Sequence, residues 1–534
     1  MKKIQSFGVM IDCSRDAVYT VESLKLYFSI LAKMGFTSVQ LYTEDTYEVE
    51  NEPYFGYMRG KYSTEELKEL DSIAREQGLE LIPCIQTLAH LGGIARWDDY
   101  KSHCIDTGDI LLAEEKRTYE LIENMIKTCA ECFTSRRINI GMDEAHMVGL
   151  GKYLDLHGYE NRFGIILKHL SRVNEIVVKY GFRPMMWSDM FFRLANEGDY
   201  YNSSGKIPQE VIGLIPENVE LVYWDYYHTE REFYDKMLKG HKQFRNKIIY
   251  AGGAWSWSGF APVNRFSIRA NEAAIDSCLE NNVDEVFITC WKDDGAECSL
   301  FASLPVLMCA AERMKGNTDR KKIESKFRNI TGIDLDDFID LDLVNLNKQG
   351  IDVQNPCKYM LYSDPFLGIF DRTVEGIRKQ EFTEVRDMLL RRAKNVRFGY
   401  IFKTLAALCE VLEIKIDLGV RTRSAYRNKD KNMLLELVFD YEELEKRLEE
   451  FYRCFKSQWE KECKLNGFEK HDIRLGGLIR RIKHCREILE EYCKGSRKSI
   501  PPLEEDILPI DGNEPARLVN YNEWISTAMI KPYM

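Results

Sequence analysis

The sequence predicts an α/β protein, a (β/α)8 TIM barrel followed by a C-terminal α-helical domain. The chain has 534 residues, which is too long for one ordinary domain. Over the first part, about 290 residues, short apolar runs alternate eight times with amphipathic segments, which is the strand count and size of such a barrel. The runs are continuously apolar, as expected for parallel strands buried on both faces. The alternation stops near Lys315, so the expected domains are 1–315 and 316–534.

The predicted strands are short runs rich in β-branched residues. They cover 6–13, 38–43, 79–85, the start of 137–146, 183–187, 219–224, 247–251 and 284–291. Helices are predicted over 19–34, over 64–77 with Ser63 as N-cap, and near 113–133 after a long loop through Trp97.

The C-terminal part carries apolar residues at three- and four-residue spacing, which predicts long amphipathic helices. They cover 398–417, 431–456 and 473–493. No chemical signature accompanies them, so we expect this domain to be structural or to form a homodimer.

Composition excludes several classes of protein. The formal net charge of −11, with no basic stripe, argues against a nucleic-acid partner. No apolar run approaches the roughly 18 residues of a membrane span, and the N-terminus leaves no room for a signal peptide. The 15 cysteines are scattered and odd in number, so we expect free thiols, including Cys129 and Cys132, and a cytoplasmic protein. No His, Cys, Asp and Glu cluster has metal-ligand spacing, so no metal or cofactor is expected.

Polar and aromatic residues concentrate where the predicted strands end, and in a barrel the C-terminal strand ends form the active site. Carboxylates interleaved with tryptophans suit a sugar, because aromatic faces stack on a pyranose while charged groups bind its hydroxyls. The residues concerned are Asp12, Arg15, Glu44, Asp45, Gln86, His90, Asp143, Glu144, Trp187, Asp189, Tyr223, Trp224, Asp225, Trp255, Trp257, Trp291, Asp293 and Asp294.

Four of these strand ends carry a family likeness. Residues 8–15 fit G-x-x-x-D-x-x-R, 83–90 keep the spacing of I-P-x-I-x-x-x-x-H, 141–144 fit G-x-D-E, and 291–293 are similar to W-x-E. With these motifs in order on successive strands, the sequence resembles the family 20 glycoside hydrolases, the β-N-acetylhexosaminidases, over roughly residues 1–315. Because the chain starts at the barrel, it is similar to the intracellular hexosaminidase D branch.

The resemblance implies an exo-acting, retaining β-N-acetylhexosaminidase that removes terminal β-linked GlcNAc or GalNAc from a small glycan. The substrate's own acetamido group would act as the nucleophile, which accounts for adjacent carboxylates that cannot form a side-by-side pair in an extended strand. Asp143 and Glu144 would be catalytic, with Asp45 and His90 as a supporting relay. The implied substrate-binding residues are Arg15, Trp187, Tyr223, Trp224, Asp225, Trp255, Trp291 and Asp293.

The sequence departs from the family pattern twice. Asp293 stands where the family has Glu, and the Tyr-x-Asp motif is on the sixth strand, at Tyr223 and Asp225, rather than on the seventh. Two alternatives therefore stay open. One is an O-GlcNAcase-like hydrolase, which typically uses two aspartates; the other is a non-catalytic glycan-binding barrel.

Overall fold

Eight parallel strands close into a barrel in the computed structural model, which describes residues 4–202, 206–512 and 517–522. Each strand pairs with the one before it along the chain, and the eighth pairs with the first, so that Val9 lies beside both Val39 and Ile288. The predicted (β/α)8 barrel is confirmed. The strands are Ser6–Asp12, Ser38–Tyr42, Glu80–Cys84, Arg137–Asn139, Arg183–Trp187, Glu220–Trp224, Ile248–Gly253 and Glu285–Cys290.

The fourth strand is shorter than its apolar pattern indicates. It ends at Asn139, whose side-chain oxygen accepts a hydrogen bond from the Gly141 backbone N–H at 3.0 Å. Gly141 and Met142 then adopt left-handed backbone angles, with φ of +72° and +71°. The two carboxylates that follow therefore lie in a turn beyond the strand rather than in it.

The chain forms two compact units that interleave along the sequence. The first comprises Met1–Ala254, Ser267–Trp291 and Val306–Thr331, and the second comprises Trp255–Phe266, Lys292–Pro305 and Gly332–Met534. The expected division between residues 315 and 316 stays a prediction.

The helices of the first unit begin close to the predicted positions. Ser63 caps Thr64–Glu76 with a reciprocal capping box through Glu66, as the sequence indicates. The predicted loop through Trp97 instead contains two short helices and an antiparallel pair of strands, Ile105–Thr107 and Ile110–Leu111. The helices are Val21–Met34, Thr64–Glu76, Gly92–Ala95, Asp98–His103, Lys116–Cys132, Lys152–His157, Arg162–Lys179, Asp189–Ala195, Gln209–Leu214, Arg231–His241, Asn264–Asn281, Leu304–Met314 and Arg320–Thr331; the first few residues of Asn264–Asn281 and of Leu304–Met314 belong to the second unit.

The second unit is α-helical, as predicted. Gly399–Lys415 is its central helix: it is buried almost all round and packs against Gln380–Arg392 and Lys431–Glu462. The other helices are Leu335–Ile339, Pro356–Tyr362, Leu418–Arg427 and Glu469–Cys493, with short 3-10 turns at Asp340–Asn345, Asp371–Val374 and Pro501–Leu503.

Within the second unit, ion pairs fix the segment 292–305. Asp294 contacts Lys358 at 3.2 Å and Arg474 at 2.6 Å, and Glu297 contacts Lys358 at 3.0 Å. Burial alone would raise the pKa of Asp294, but the two cations lower it to about 2. Farther along, the buried carboxylate of Glu462 accepts hydrogen bonds from Ser299 and from the Leu300 backbone. The segment that carries Asp293 is therefore held in place by helices of the second unit.

All fifteen cysteines are free thiols, Cys129 and Cys132 among them. Across the part of the chain that the structure describes, no helix is both long and apolar enough to cross a membrane.

An ionic network closes the N-terminal end of the barrel. Arg137, at the start of the fourth strand, contacts Glu285 and, at 3.4 Å, Glu220, which begin the eighth and sixth strands. Lys247 reaches the same two carboxylates at 2.5 and 3.3 Å. Since Arg137 is almost wholly buried, its charge is compensated mainly by these partners.

We predict that Arg137→Met lowers the free energy of unfolding by about 2–4 kcal/mol, because it leaves Glu285 short of a cation inside the barrel. Urea denaturation would measure the loss. As a control, Arg172→Met removes an exposed pair with Glu175 and should cost less than about 1 kcal/mol. Equal losses in the two variants would contradict a structural role for the network.

Candidate active site

The turn after the fourth strand depends on a glycine. A Cβ built on Gly141 would lie 2.0 Å from Gln86 Oε1 and 2.9 Å from the Ile85 carbonyl oxygen. The positive φ of Gly141 also favours glycine. This close approach lets the side chain of Gln86, which follows the third strand, reach the carboxylate two residues beyond Gly141.

Asp143 is a buried carboxylate held from two sides. Gln86 Nε2 donates to its Oδ1 at 2.8 Å, and His90 Nε2 lies 3.2 Å from its Oδ2. Burial by itself would raise the pKa of Asp143, but the charge and hydrogen bond of His90, with the hydrogen bond from Gln86, hold that pKa below its usual value. Asp143 is therefore a fixed anion.

His90 carries the compensating charge. Burial alone would lower the pKa of its imidazole, but Asp143 raises it to about 9, so the ring is protonated at neutral pH. His90 has a φ of +59°, and Glu44, Met142 and Glu144 also have left-handed backbone angles. Such strain in residues other than glycine concentrates at functional sites.

Glu144 is far more accessible than Asp143. Its side chain is 38% exposed, against 10% for Asp143. Its carboxylate lies 3.3 Å from Arg193 Nη2 and 3.8 Å from His90 Nε2, and its backbone N–H donates to Asp189 Oδ2 at 3.1 Å. One carboxylate is thus enclosed, whereas its neighbour opens toward solvent.

Arg193 and Asp189 form the support behind Glu144. The Arg193 Nε donates to Asp189 Oδ2 at 3.1 Å, and the guanidinium lies over the rings of Tyr200 and Trp224 at 5.6 and 5.9 Å. Burial, together with the negative charge of Asp143, raises the pKa of Asp189 to about 7.

A second chain of polar contacts joins the first three strands. Arg15 Nη2 lies 3.3 Å from Glu44 Oε1, and Tyr42 donates to the same oxygen at 3.0 Å. Gln86 in turn donates to the Tyr42 hydroxyl at 3.1 Å and so links this chain to Asp143. Burial raises the pKa of Glu44, and the charge of Arg15 opposes that effect.

The tryptophans fall into separate groups. Trp291 lies edge-on to Tyr42 at 4.8 Å and 6.0 Å from Trp187, and Tyr226 hydrogen-bonds to it. The indole N–H of Trp187 is buried and has no hydrogen-bond partner within the described residues. In the second unit, Trp255 stacks on Trp257 at 4.4 Å, and Asp293 lies on the segment 292–305.

Tyr223 and Asp225, both predicted to contact the substrate, are hydrogen-bonded to each other. Tyr223 is fully buried, and its hydroxyl donates to Asp225 Oδ2 at 3.0 Å. Asp225 also accepts from the Tyr227 backbone and from His228. Trp224, which lies between Tyr223 and Asp225 in the sequence, stacks on Tyr226 at 5.3 Å.

Asp45 is held by a different partner from the one expected. Arg59 Nη1 lies 2.5 Å from Asp45 Oδ1, whereas His90 contacts Asp143 and Glu144. The expected Asp45–His90 relay is replaced by two separate pairs, because Arg59 from the same loop reaches the buried Asp45 carboxylate. Burial raises the pKa of Asp45, and the charge of Arg59 opposes that rise.

Two residues that contact the site, Tyr42 and Arg193, were missed in the sequence, and Gln86 was noted at a strand end but given no role. Gln86 and Tyr42 lie at or just beyond strand ends, and this position is the feature of the sequence that could have identified them as site residues. Arg193 follows Asp189 by four residues, and this spacing places both on one face of a short helix. Among the described residues, no group of His, Cys, Asp and Glu side chains could hold a metal ion.

Fold and site together define a class of protein. Active sites of (β/α)8 barrels lie at this end of the strands, and aromatic faces beside carboxylates suit a pyranose ring. The class is a barrel glycoside hydrolase.

Comparison with known families gives the particular family. The model described as glycosyl hydrolase family 20, catalytic domain, matches residues 8–242, and that of the glycoside hydrolase 20C C-terminal domain matches residues 334–520. The chain belongs to glycoside hydrolase family 20.

Individual relatives are distant. The chain is 23% identical over 273 residues to hexosaminidase D of Bos taurus, covering 48% of this chain and 71% of the relative. It is 26% identical over 215 residues to hexosaminidase D of Homo sapiens, covering 39% of this chain and 42% of the relative. A solved GH20 exo β-N-acetylglucosaminidase from Vibrio harveyi, in complex with N-acetylglucosamine, is 15% identical with a TM-score of 0.48; the match covers 63% of this chain and 58% of that one.

We predict that the contact between His90 and Asp143 makes stability fall as pH rises. A folded pKa of about 9 exceeds the unfolded value of about 6.5, so the contribution is complete below pH 6.5 and lost as pH approaches 9. The loss should reach at most about 3 kcal/mol in urea denaturation. His90→Gln should remove this slope between pH 6.5 and 9. A His90 imidazole that titrates near pH 6.5 by NMR would contradict the prediction.

Proposed function

We propose that this chain is an exo-acting, retaining β-N-acetylhexosaminidase that removes terminal β-linked GlcNAc or GalNAc by substrate-assisted catalysis. The observation that carries the proposal is the contrast between two adjacent carboxylates. Asp143 is buried and clamped as an anion, whereas Glu144 is partly open to solvent. Adjacent carboxylates with different environments suit different roles in one reaction.

Asp143 is proposed to act on the substrate's acetamido group. A fixed carboxylate can accept a hydrogen bond from the acetamido N–H, turn the acetamido oxygen toward C1 and stabilise the positive oxazolinium-like intermediate. Its clamping by Gln86 and His90 supports this role, because a carboxylate already oriented need not reorganise during the reaction. The internal nucleophile leaves no covalent bond to the protein, as family 20 chemistry requires.

Glu144 is proposed to be the general acid and then the general base. In its protonated form the partly exposed Glu144 carboxyl can donate its proton to the glycosidic oxygen, and after departure of the aglycone the resulting carboxylate can take a proton from the incoming water. Arg193 and Asp189 hold the side chain and the backbone of Glu144 respectively. They are therefore positioning residues in this proposal.

Substrate binding is assigned to the side chains around these carboxylates. Arg15 is proposed to bind sugar hydroxyls, while Trp187, Trp224 and Trp291 provide the aromatic wall. The proposal also keeps four further contacts predicted from the sequence, Tyr223, Asp225, Trp255 and Asp293. Asp45 is proposed to support the site through Arg59.

Both alternative functions are less well supported. An O-GlcNAcase-like enzyme typically uses two aspartates, and here the more open carboxylate belongs to Glu144. A glycan-binding barrel without activity would not need a strained turn that buries one carboxylate and exposes the next.

We also propose a cellular location and an oligomeric state for the protein. The free cysteines support a cytoplasmic protein, and the helical region 316–534 is proposed to form a homodimer. Light scattering that shows only monomer at micromolar concentration would remove the dimer from this proposal.

The activity is tested with a panel of chromogenic β-glycosides. We expect hydrolysis of aryl β-GlcNAc and aryl β-GalNAc, and almost none of aryl β-glucoside, because the glucoside lacks the nucleophilic acetamido group. The activity should survive a chelator. Equal rates with and without the 2-acetamido group would contradict the mechanism.

The two carboxylates should respond differently to amide substitution. Glu144→Gln should be nearly inactive on substrates with poor leaving groups but less impaired on good ones, because only a poor leaving oxygen needs the proton. Asp143→Asn should lose about 10²–10⁴-fold in rate on both kinds of substrate. Steady-state kinetics across a leaving-group series measures both effects.

An inhibitor separates the two roles further. A thiazoline mimic of the cyclic intermediate should inhibit the parent enzyme strongly and the Asp143→Asn variant much less. Covalent labelling of Asp143 by a 2-fluoro sugar, found by peptide mapping, would show instead that it is a conventional nucleophile.

A further inference from the structure

A cluster of three aromatic side chains lies on the loops that follow the second and third strands. Tyr54 stacks on Trp97 at 5.5 Å with 29° between the rings, and Tyr57 lies edge-on to both, at 5.9 and 5.4 Å. We call Tyr54, Tyr57 and Trp97 the aromatic platform.

The platform is exposed to solvent. Tyr54 is 45% and Tyr57 42% exposed, and Trp97 is partly exposed. None of the three side chains makes a hydrogen bond within the described residues. Three large rings gathered at the surface, with their polar groups unused, mark a place where a ligand can stack and bond.

The base of the platform is rigid. Phe55, between the two tyrosines, is fully buried against Tyr47 at 5.3 Å, and the Lys61 ammonium bonds the Phe55 carbonyl at 2.8 Å. On the other loop, the buried Tyr100 follows Trp97 closely and donates to Glu52 at 2.8 Å, which ties the two loops together. Rings held in advance lose little conformational entropy when a ligand binds.

The platform is on the catalytic face of the barrel. Both loops leave the C-terminal ends of strands, where active sites of these barrels lie. The first loop carries Glu44 and Asp45, and its Arg59 pairs with Asp45 and with the Ser14 carbonyl. The second loop carries His90. The two loops that support the proposed site thus also present the platform.

We propose that the aromatic platform is a binding site for a pyranose ring of a glycan, separate from the pocket that holds the cleaved residue. The chemistry favours a sugar over an apolar peptide, because the rings offer flat faces with polar tips. Exposed Arg96, Asp98 and Asp99 adjoin Trp97 in the sequence and provide charged partners for hydroxyls. The inference rests on the proposed function, since it takes the substrate to be a glycan.

The platform is tested by direct binding to the full-length Glu144→Gln protein. The probe is a β-1,4-linked tetramer of N-acetylglucosamine, added with the thiazoline inhibitor in excess so that the cleavage pocket is filled. The eight tryptophans are labelled as 5-fluorotryptophan, and Trp97→Phe identifies the Trp97 resonance in the ¹⁹F NMR spectrum. We expect the tetramer to shift that resonance with millimolar affinity.

Substitutions then distinguish ring stacking from other effects. Tyr54→Ala should weaken tetramer binding about tenfold, whereas Tyr54→Phe, which keeps the ring, should bind like the parent. Phe439→Ala removes an exposed ring from the second unit and should change nothing. Tyr54→Ala made in the otherwise unaltered chain should leave hydrolysis of aryl β-GlcNAc unaffected.

Two results would overturn the inference. One is a Trp97 resonance that does not respond to tetramer up to about 10 mM. The other is a shift that is equally large in Tyr54→Ala. Failure of the proposed function would give a different result. Aryl glycosides would not be hydrolysed, while the Trp97 resonance would still report whether the platform binds sugar.

Discussion

The buried carboxylate of Asp143 is the group on which the arrangement of the site depends. A buried anion is costly unless donors and an opposite charge surround it. Gln86 and His90 supply them from the loop after the third strand, and the close approach of Gly141 brings that loop near enough. Burial of one charge therefore fixes two loops and a left-handed turn, and the turn also sets the direction of Glu144.

Charge balance extends outward from that carboxylate. His90 is kept protonated by Asp143, and Arg193 is shared between Asp189 and Glu144. Burial and the charge of Asp143 raise the pKa of Asp189, so the positions of protons in the site are coupled. In the proposed reaction, a substrate that approaches Glu144 would meet a side chain whose surroundings are already ordered, which favours acid and base catalysis.

The two ends of the barrel have different roles: the N-terminal end contributes to stability, and the C-terminal end carries the candidate site. At the N-terminal end, Arg137 and Lys247 neutralise carboxylates that begin two other strands. At the C-terminal end, strained backbone and clustered acids are tolerated because the closed sheet beneath them is rigid. Loops at this end can therefore carry both the adjacent carboxylates of Asp143 and Glu144 and the aromatic platform without weakening the core.

The sequence by itself determined the barrel, because eight apolar runs alternating with amphipathic segments have few other stable arrangements. It also pointed to Asp143, Glu144 and His90, since residues at the C-terminal ends of barrel strands converge on one mouth. Only the tertiary structure decided the partners: His90 pairs with Asp143 while Asp45 pairs with Arg59, and Arg193 supports Glu144. Side-chain pairing between strand ends far apart in sequence depends on how the folded loops place the charged groups, and a left-handed turn is set by the contacts that enclose it. Neither the side-chain pairs nor the turn can be deduced from the local periodicity of the sequence.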